Sequence, residues 1–169
     1  QSYWVGAADY RLDLANATTS GIWRVTTGLP TTTTYQNWHH YAWTLDATSL
    51  SNNPLAYVDG VSLTVVSVTA PTVLFAPTAV NFNIGNISDG SAPLGGSVGY
   101  VSVHSVILTQ AEIIQHMTYG FVARGEEIRW GLDNAQSPEP DLSGIARNGT
   151  VTGTTYDSTP NVPPDETFR

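Results

Sequence analysis

The chain has 169 residues, 14 of them acidic and 6 basic, and no cysteine; that length supports one domain with its own core, without disulfides, thiolate metal sites or cysteine nucleophiles. A net charge of −8, with every basic residue an arginine, argues against nucleic acid and anionic lipid as partners, and no apolar run reaches the ~18 residues that cross a bilayer. Only 12% of residues are charged, while threonine, serine, glycine and valine abound, the composition of an all-β sandwich or barrel.

Gln1 opens the chain without an initiator methionine, which fits a processed protein or a segment of a longer one. Within 3–14, Ala8, Tyr10, Leu12 and Leu14 alternate with Asp9, Arg11 and Asp13, the pattern of a half-buried strand. A polar turn (16–21) leads to a second strand at 22–26, which Gly28-Leu29-Pro30 and four threonines (31–34) end. The next strand, 38–45, carries large groups on both faces and is expected in the middle of a sheet. Leu55–Val58, Asp59-Gly60 and Val61–Val66 read as a hairpin, because Asp-Gly supplies the positive φ angles of a type I′ turn. Strands are expected at 81–85 and 98–108, separated by a loop of small polar residues (86–97). Thr109-Gln-Ala-Glu112 is a capping box, flanked by Leu108 and Ile113 as a staple, and Gly120 is a natural stop, so a short helix is expected over 110–118. Ser137-Pro-Glu-Pro140, Asp141–Gly144 and Asn148-Gly149 are turn chemistry, and 150–156 is expected to pair as one more strand. The tail 157–169 has three prolines in its first eight residues and reads as an extended arm.

Several of these pieces together resemble the concanavalin A-like lectin/glucanase superfamily, in particular laminin G-like domains. They are Asn37-Trp38-His39-His40-Tyr41-Ala42, Leu55-Ala-Tyr-Val-Asp59-Gly60, Asn83-Ile84-Gly85, Gly96-Ser-Val-Gly99-Tyr100-Val-Ser-Val103 and Leu108-Thr-Gln-Ala-Glu112-Ile113. The likeness spans about residues 35–119 and lies in the order of the motifs. It implies a jelly-roll β-sandwich of two antiparallel sheets over 1–156, followed by the arm 157–169. The segment Pro138-Glu139-Pro140-Asp141-Leu142-Ser143-Gly144 through Thr154 resembles a subset found in bacteriophage and environmental-genome proteins. Two departures stand out: Ser102 occupies the place of the family's usual strand aspartate, and the usual N-terminal strand with its Phe-Asp-Gly is absent.

Superfamily glucanases use carboxylates two residues apart on one strand, about 5–5.5 Å between them when configuration is retained. The glutamates at 112, 126, 127, 139 and 166 form no such pair. Asp9 and Asp13 would stand roughly 13 Å apart with Arg11 between them, a surface charge ladder. His39 and His40, adjacent on a strand, point to opposite faces and cannot share one ion; His40 reads as a core histidine, and His104 and His116 have no partner at a useful spacing. The expectation is a protein without catalysis.

Sugar binding needs an exposed aromatic plane beside hydrogen-bonding groups; Trp4, Trp23, Tyr35 and Trp43 are the candidates. Calcium is the one cofactor for which the sequence offers ligands. Asn86-Ile-Ser88-Asp89-Gly90 echoes a loop of alternating oxygen donors, and Asp46 is placed to add a carboxylate. Asn16, Asn86 and Asn148 head N-glycosylation sequons, which a chain this rich in serine and threonine acquires by chance. The leading expectation is a structural or decoration protein on a virion, bound to a protein partner through sheet edges and the arm. The alternative is a secreted carbohydrate-binding or adhesion module, and a third is a glycosidase with a degenerate site.

Overall fold

A computed structural model describes residues 2–4, 9–15, 20–26, 38–69, 72, 83–85, 97–132 and 137–153. The chain falls into two compact units, Gln1–Gly96 and Ser97–Arg169. The first holds two antiparallel sheets. One is built from β1 (Ser2–Trp4), β2 (Asp9–Ala15), β3 (Ser20–Thr26) and β7 (Val65–Thr69), in the order β1-β2-β3-β7. The other runs β4 (Tyr41–Thr44), β5 (Leu55–Val58), β6 (Val61–Leu63), in that order.

Tyr10 pairs with Val25 and Leu12 with Trp23, and Val25 and Trp23 are buried. Upstream, Tyr3 and Trp4 belong to a separate short strand that folds back on β2, with Trp4 opposite Tyr10. Trp23 donates its indole N–H to Asn53 Oδ1 at 3.0 Å, which anchors β3 to the loop ahead of β5 and satisfies a polar group that burial would otherwise strand.

The Asp-Gly hairpin forms as its sequence dictates. Asp59 (φ 52°) and Gly60 (φ 74°) both lie in the left-handed region, and Val58 pairs with Val61 across the turn. The run expected as one strand to Val66 breaks at Thr64, where its partner changes: β6 pairs with β5, whereas β7 pairs with β3 in the other sheet. A strand that bends from one sheet into the next forms the corner of a sandwich. The strand expected at 38–45 is shorter, Tyr41–Thr44, and among the described residues it pairs with β5 alone. The central place belongs to β5, whose Ala56, Tyr57 and Val58 are buried on both faces. Of the expected strand 81–85, the described residues 83–85 form a bend, with Gly85 at φ 76°.

In the second unit, β8 (Val101–His104) is shorter than the expected 98–108 because the chain bends at Ser105–Val106 to enter the helix. The helix α1 (Gln110–Tyr119) starts and stops where its caps predict. Thr109 and Glu112 form the reciprocal capping box, and Gly120 closes the helix at φ 76° with its N–H on His116 O. Leu108 and Ile113 are both buried, as a staple requires. A strand ending in Trp130, which the resemblance implies but the residue pattern alone does not announce, is β9 (Glu126–Trp130); it returns antiparallel to β8 and pairs Val101 with Trp130. Arg124 secures the return: its guanidinium meets both oxygens of Glu112, at 2.6 and 2.7 Å, and donates to Ile107 O at 2.6 Å. Of the strand expected at 150–156, residues 150–153 form none and 154–156 lie outside the described residues; just ahead of it Gly149 makes a bridge with Glu139. The tail 157–169 lies outside the described residues. No helix among the described residues is long and apolar enough to cross a membrane.

Gly125 sits at φ +64°, and a Cβ there would lie 2.7 and 2.9 Å from the two γ-methyls of Val106. Gly125→Ala should therefore cost about 2 kcal/mol by strain and overpacking, against about 1 kcal/mol for Thr109→Ala, which removes one cap bond. Urea unfolding of both variants checks the order; a Gly125→Ala protein as stable as the parent would contradict the placement of this turn.

Candidate functional site

Asp59 does two jobs at the end of the β4–β5 pair. Its backbone makes the hairpin turn, and its N–H donates to His40 O at 2.9 Å. Its carboxylate reaches back to the entry of β4: Oδ1 accepts the His40 backbone N–H at 2.9 Å, and Oδ2 meets His39 Nδ1 at 2.7 Å. His40 therefore has both backbone polar groups satisfied by one residue. The imidazole of His39 is fixed in turn, standing edge-on to Tyr41 with ring centroids 6.2 Å apart. Strand alternation explains that contact, because residues two apart share a face.

The result is a small surface patch of mixed character. Tyr41 is 37% exposed and the Asp59 side chain 44%. Trp38, just ahead in the chain, is 38% exposed. Burial of its lower part, then the nearby Asp59 charge, pushes the Tyr41 phenol up from its ordinary value, so it stays protonated. Burial lowers His40, with Asp59 opposing, which keeps that ring neutral near pH 7. An aromatic face beside a fixed carboxylate and an oriented imidazole is what a polyhydroxyl ring needs: one surface to stack on, and acceptors around it.

The residues singled out in the sequence are distributed differently. Trp23 is 1% exposed, and its indole N–H is spent on Asn53, so it presents no ring face to solvent. Trp4 stands in the register row that continues through Tyr10 to Val25. Trp43 is half-buried on β4, two residues from Tyr41. Tyr35, Asn86 and Asp89 lie outside the described residues. Asp46 is exposed, and its Oδ1 accepts from both the N–H and the hydroxyl of Thr48, at 3.0 and 2.6 Å, while Asn52 donates to its carbonyl at 3.1 Å. These Thr48 bonds lower its carboxyl below the ordinary value. Calcium takes six to eight oxygens, and one carboxylate in a tight local turn does not supply them. Among the described residues no three His, Asp or Glu side chains come together. Of the sequons, Asn148 is exposed, with Oδ1 accepting the Asp141 N–H at 3.0 Å; Asn16 and Asn86 are outside the described residues.

His39, Tyr41 and Asp59 were legible only as pieces of two motifs. The usable signal was the hairpin register: once Val58 is opposite Tyr41, Asp59 is level with His40. In the second unit, His104 and His116, which spacing left unrelated, stand with rings 5.7 Å apart. Ser102 Oγ and His116 Nε2 are 2.8 Å apart, and the Tyr100 ring lies 5.4 Å from that of His116. His116 is buried, so this bond fastens α1 to β8.

Beyond β9, Asp141 plays the part that Asp59 plays in the first unit. Its Oδ1 accepts the N–H groups of Arg129 and Ser143, both at 3.0 Å; its Oδ2 accepts the Arg147 N–H at 2.9 Å and the Ser143 hydroxyl at 2.8 Å. Trp130, buried beneath, donates its indole N–H to Arg147 O at 3.0 Å. Gly149 lies against that indole, where a Cβ would come within 3.3 Å.

A laminin G-type family model, described as the concanavalin A-like lectin/glucanases superfamily, matches residues 1–114. The chain belongs to this superfamily. The match begins at the first residue, so β1 to β3 are part of it along with the motifs from Trp38 onward, and it ends inside α1. No curated protein and no solved structure matches the chain. The antiparallel sheets with one short helix are those of a concanavalin A-like β-sandwich. Laminin G-like domains of this superfamily are typically non-catalytic, and membership suggests a carbohydrate-binding or adhesion module.

Burial alone would raise the Asp141 carboxyl, but the three backbone N–H groups and the Ser143 hydroxyl outweigh it and hold the group at about 2. The hydrogen bonds from Arg124 and Thr109 hold Glu112 at about 2 as well. Depressed carboxylates stabilise the fold above their ordinary values and lose that contribution as pH falls towards 2. Denaturant midpoints should hold a plateau near neutral pH, decline slightly below about pH 6.5 as the unfolded chain takes up the proton that buried His40 resists, and fall further from about 4 downwards as the carboxylates protonate. Asp141→Asn should lower the plateau and flatten part of this fall, leaving the share due to Glu112.

Proposed function

We propose that the protein is a displayed, non-enzymatic module that binds carbohydrate through the His39–Tyr41–Asp59 patch. The observation that carries this reading is the half-exposed Tyr41 ring beside a carboxylate and an imidazole that are already fixed in place. Prior fixing matters, because a site whose side chains are held loses little conformational entropy on binding. A half-exposed ring at the surface suits a weak interaction repeated many times, where avidity supplies the strength. Calcium, if it takes part, would draw on Asp46 together with Asn86 and Asp89.

Display on a virion is the finer form of this reading. It is supported by the likeness of the segment from Pro138 onward to phage-associated proteins, and by the acidic, lysine-free sequence. In that setting the arm 157–169 would hold the module to a protein partner on the particle, leaving the patch free for a host glycan. Such a protein should copurify with particles at fixed stoichiometry; recovery as a lone monomer with a protease-sensitive tail would exclude the display role and leave sugar binding standing.

A glycan array run on the parent, Tyr41→Ala and Trp23→Ala, each with and without EDTA, tests the site. Tyr41→Ala should weaken binding about tenfold or more with thermal stability near that of the parent, as expected for loss of a stacking surface. Trp23→Ala should instead lose about 3–5 kcal/mol of stability as a core deletion. Undiminished binding by Tyr41→Ala would remove the patch from consideration, and loss in EDTA would bring calcium in.

A further inference from the structure

The charge pattern around this patch bears on which sugars it takes. From Trp38 to Thr69 the sequence has two aspartates, Asp46 and Asp59, and no lysine or arginine. Asp46 is occupied by its own turn. Asp59 carries its charge at the surface, beside the exposed Tyr41 ring. Arg124, Arg129 and Arg147 each stand against a carboxylate of their own, Glu112, Glu126 and Glu127.

We propose that the preferred ligand carries a protonated amine, and that the His39–Tyr41–Asp59 patch recognises an amino sugar; this rests on the sugar-binding reading of the same site. Each Asp59 oxygen already has one partner, His40 N–H or His39 Nδ1. A carboxylate oxygen has a second acceptor direction, so an ammonium group can be received without breaking either bond. That bond is charge-assisted, roughly twice as strong as the one a neutral hydroxyl would make. The negative face of the Tyr41 ring adds attraction for the same cation. An acidic sugar meets Asp59 as a like charge and gains neither term. The chain contains no lysine, so no side-chain amine of its own, or of a second copy, competes for the place.

The test compares short glucosamine oligomers bearing free amines, the same oligomers N-acetylated, and uronic acid oligomers, by calorimetry on the full chain. The free-amine oligomer should bind about tenfold tighter than the acetylated one, weaken as salt is raised, and lose its advantage in Asp59→Asn. Asparagine tolerates the left-handed conformation that the turn requires. Tyr41→Leu, which leaves the turn untouched, should lose the binding as well and carries the test if Asp59→Asn does not fold. Equal or tighter binding of the acetylated or the acidic oligomer overturns the amine preference and leaves sugar binding intact. Absence of binding by every oligomer overturns both. Amine binding that persists in both variants is attraction to a chain of net charge −8, and it overturns the site.

Discussion

Much of the first unit hangs on one carboxylate. Asp59 has to adopt a positive φ for the hairpin to close, and the same residue must reach across to the entry of the neighbouring strand to satisfy His40 and orient His39. A carboxylate accepting a backbone N–H is a charge-assisted bond, and such bonds hold geometry as well as energy. Because β5 is the buried centre of its sheet, a turn that misplaced Asp59 would displace β4 from its partner and leave His40 with two unsatisfied backbone groups. Structure and surface chemistry are thus set by the same side chain, and the patch needs no dedicated scaffold.

Asp141 repeats the device in the second unit with a different outcome. There the carboxylate is surrounded by donors from Arg129, Ser143 and Arg147 and has nothing left to offer a ligand. It ties the loop after β9 to the strand itself, over the buried Trp130. Two aspartates in turns, both accepting main-chain N–H groups, differ in how many donors converge on them. The count of donors separates a structural carboxylate from one that keeps capacity for a partner.

How much of this was legible in the sequence follows the distance over which each signal acts. The Asp59-Gly60 turn and the Thr109–Glu112 capping box are local, complete within four residues, and both formed as read. The alternation of β2 was legible because one face is apolar throughout. The strand β9 was not: Glu126, Glu127 and Arg129 put charges on both faces, and its place is fixed by pairing with β8 and by Arg124, which the sequence does not announce. The fold family emerged from the order of motifs, which survives uncertainty about any single strand. The candidate site did not emerge, because His39 and Asp59 lie 20 residues apart and are joined only by the register of β4 on β5. Tryptophan was the natural residue to back for stacking, yet the Trp23 indole was needed in the core, where its N–H found Asn53.

The bend at Thr64 has a consequence for how firmly that register is held. The hairpin turn sets β6 against β5, and the same continuous run, one residue later, sets β7 against β3. A slip by one position would turn every side chain of the run to the wrong face in two sheets at once. Alternative pairings that a lone hairpin could sample are therefore closed to this one, and mispairing during folding has to be undone before either sheet can be completed.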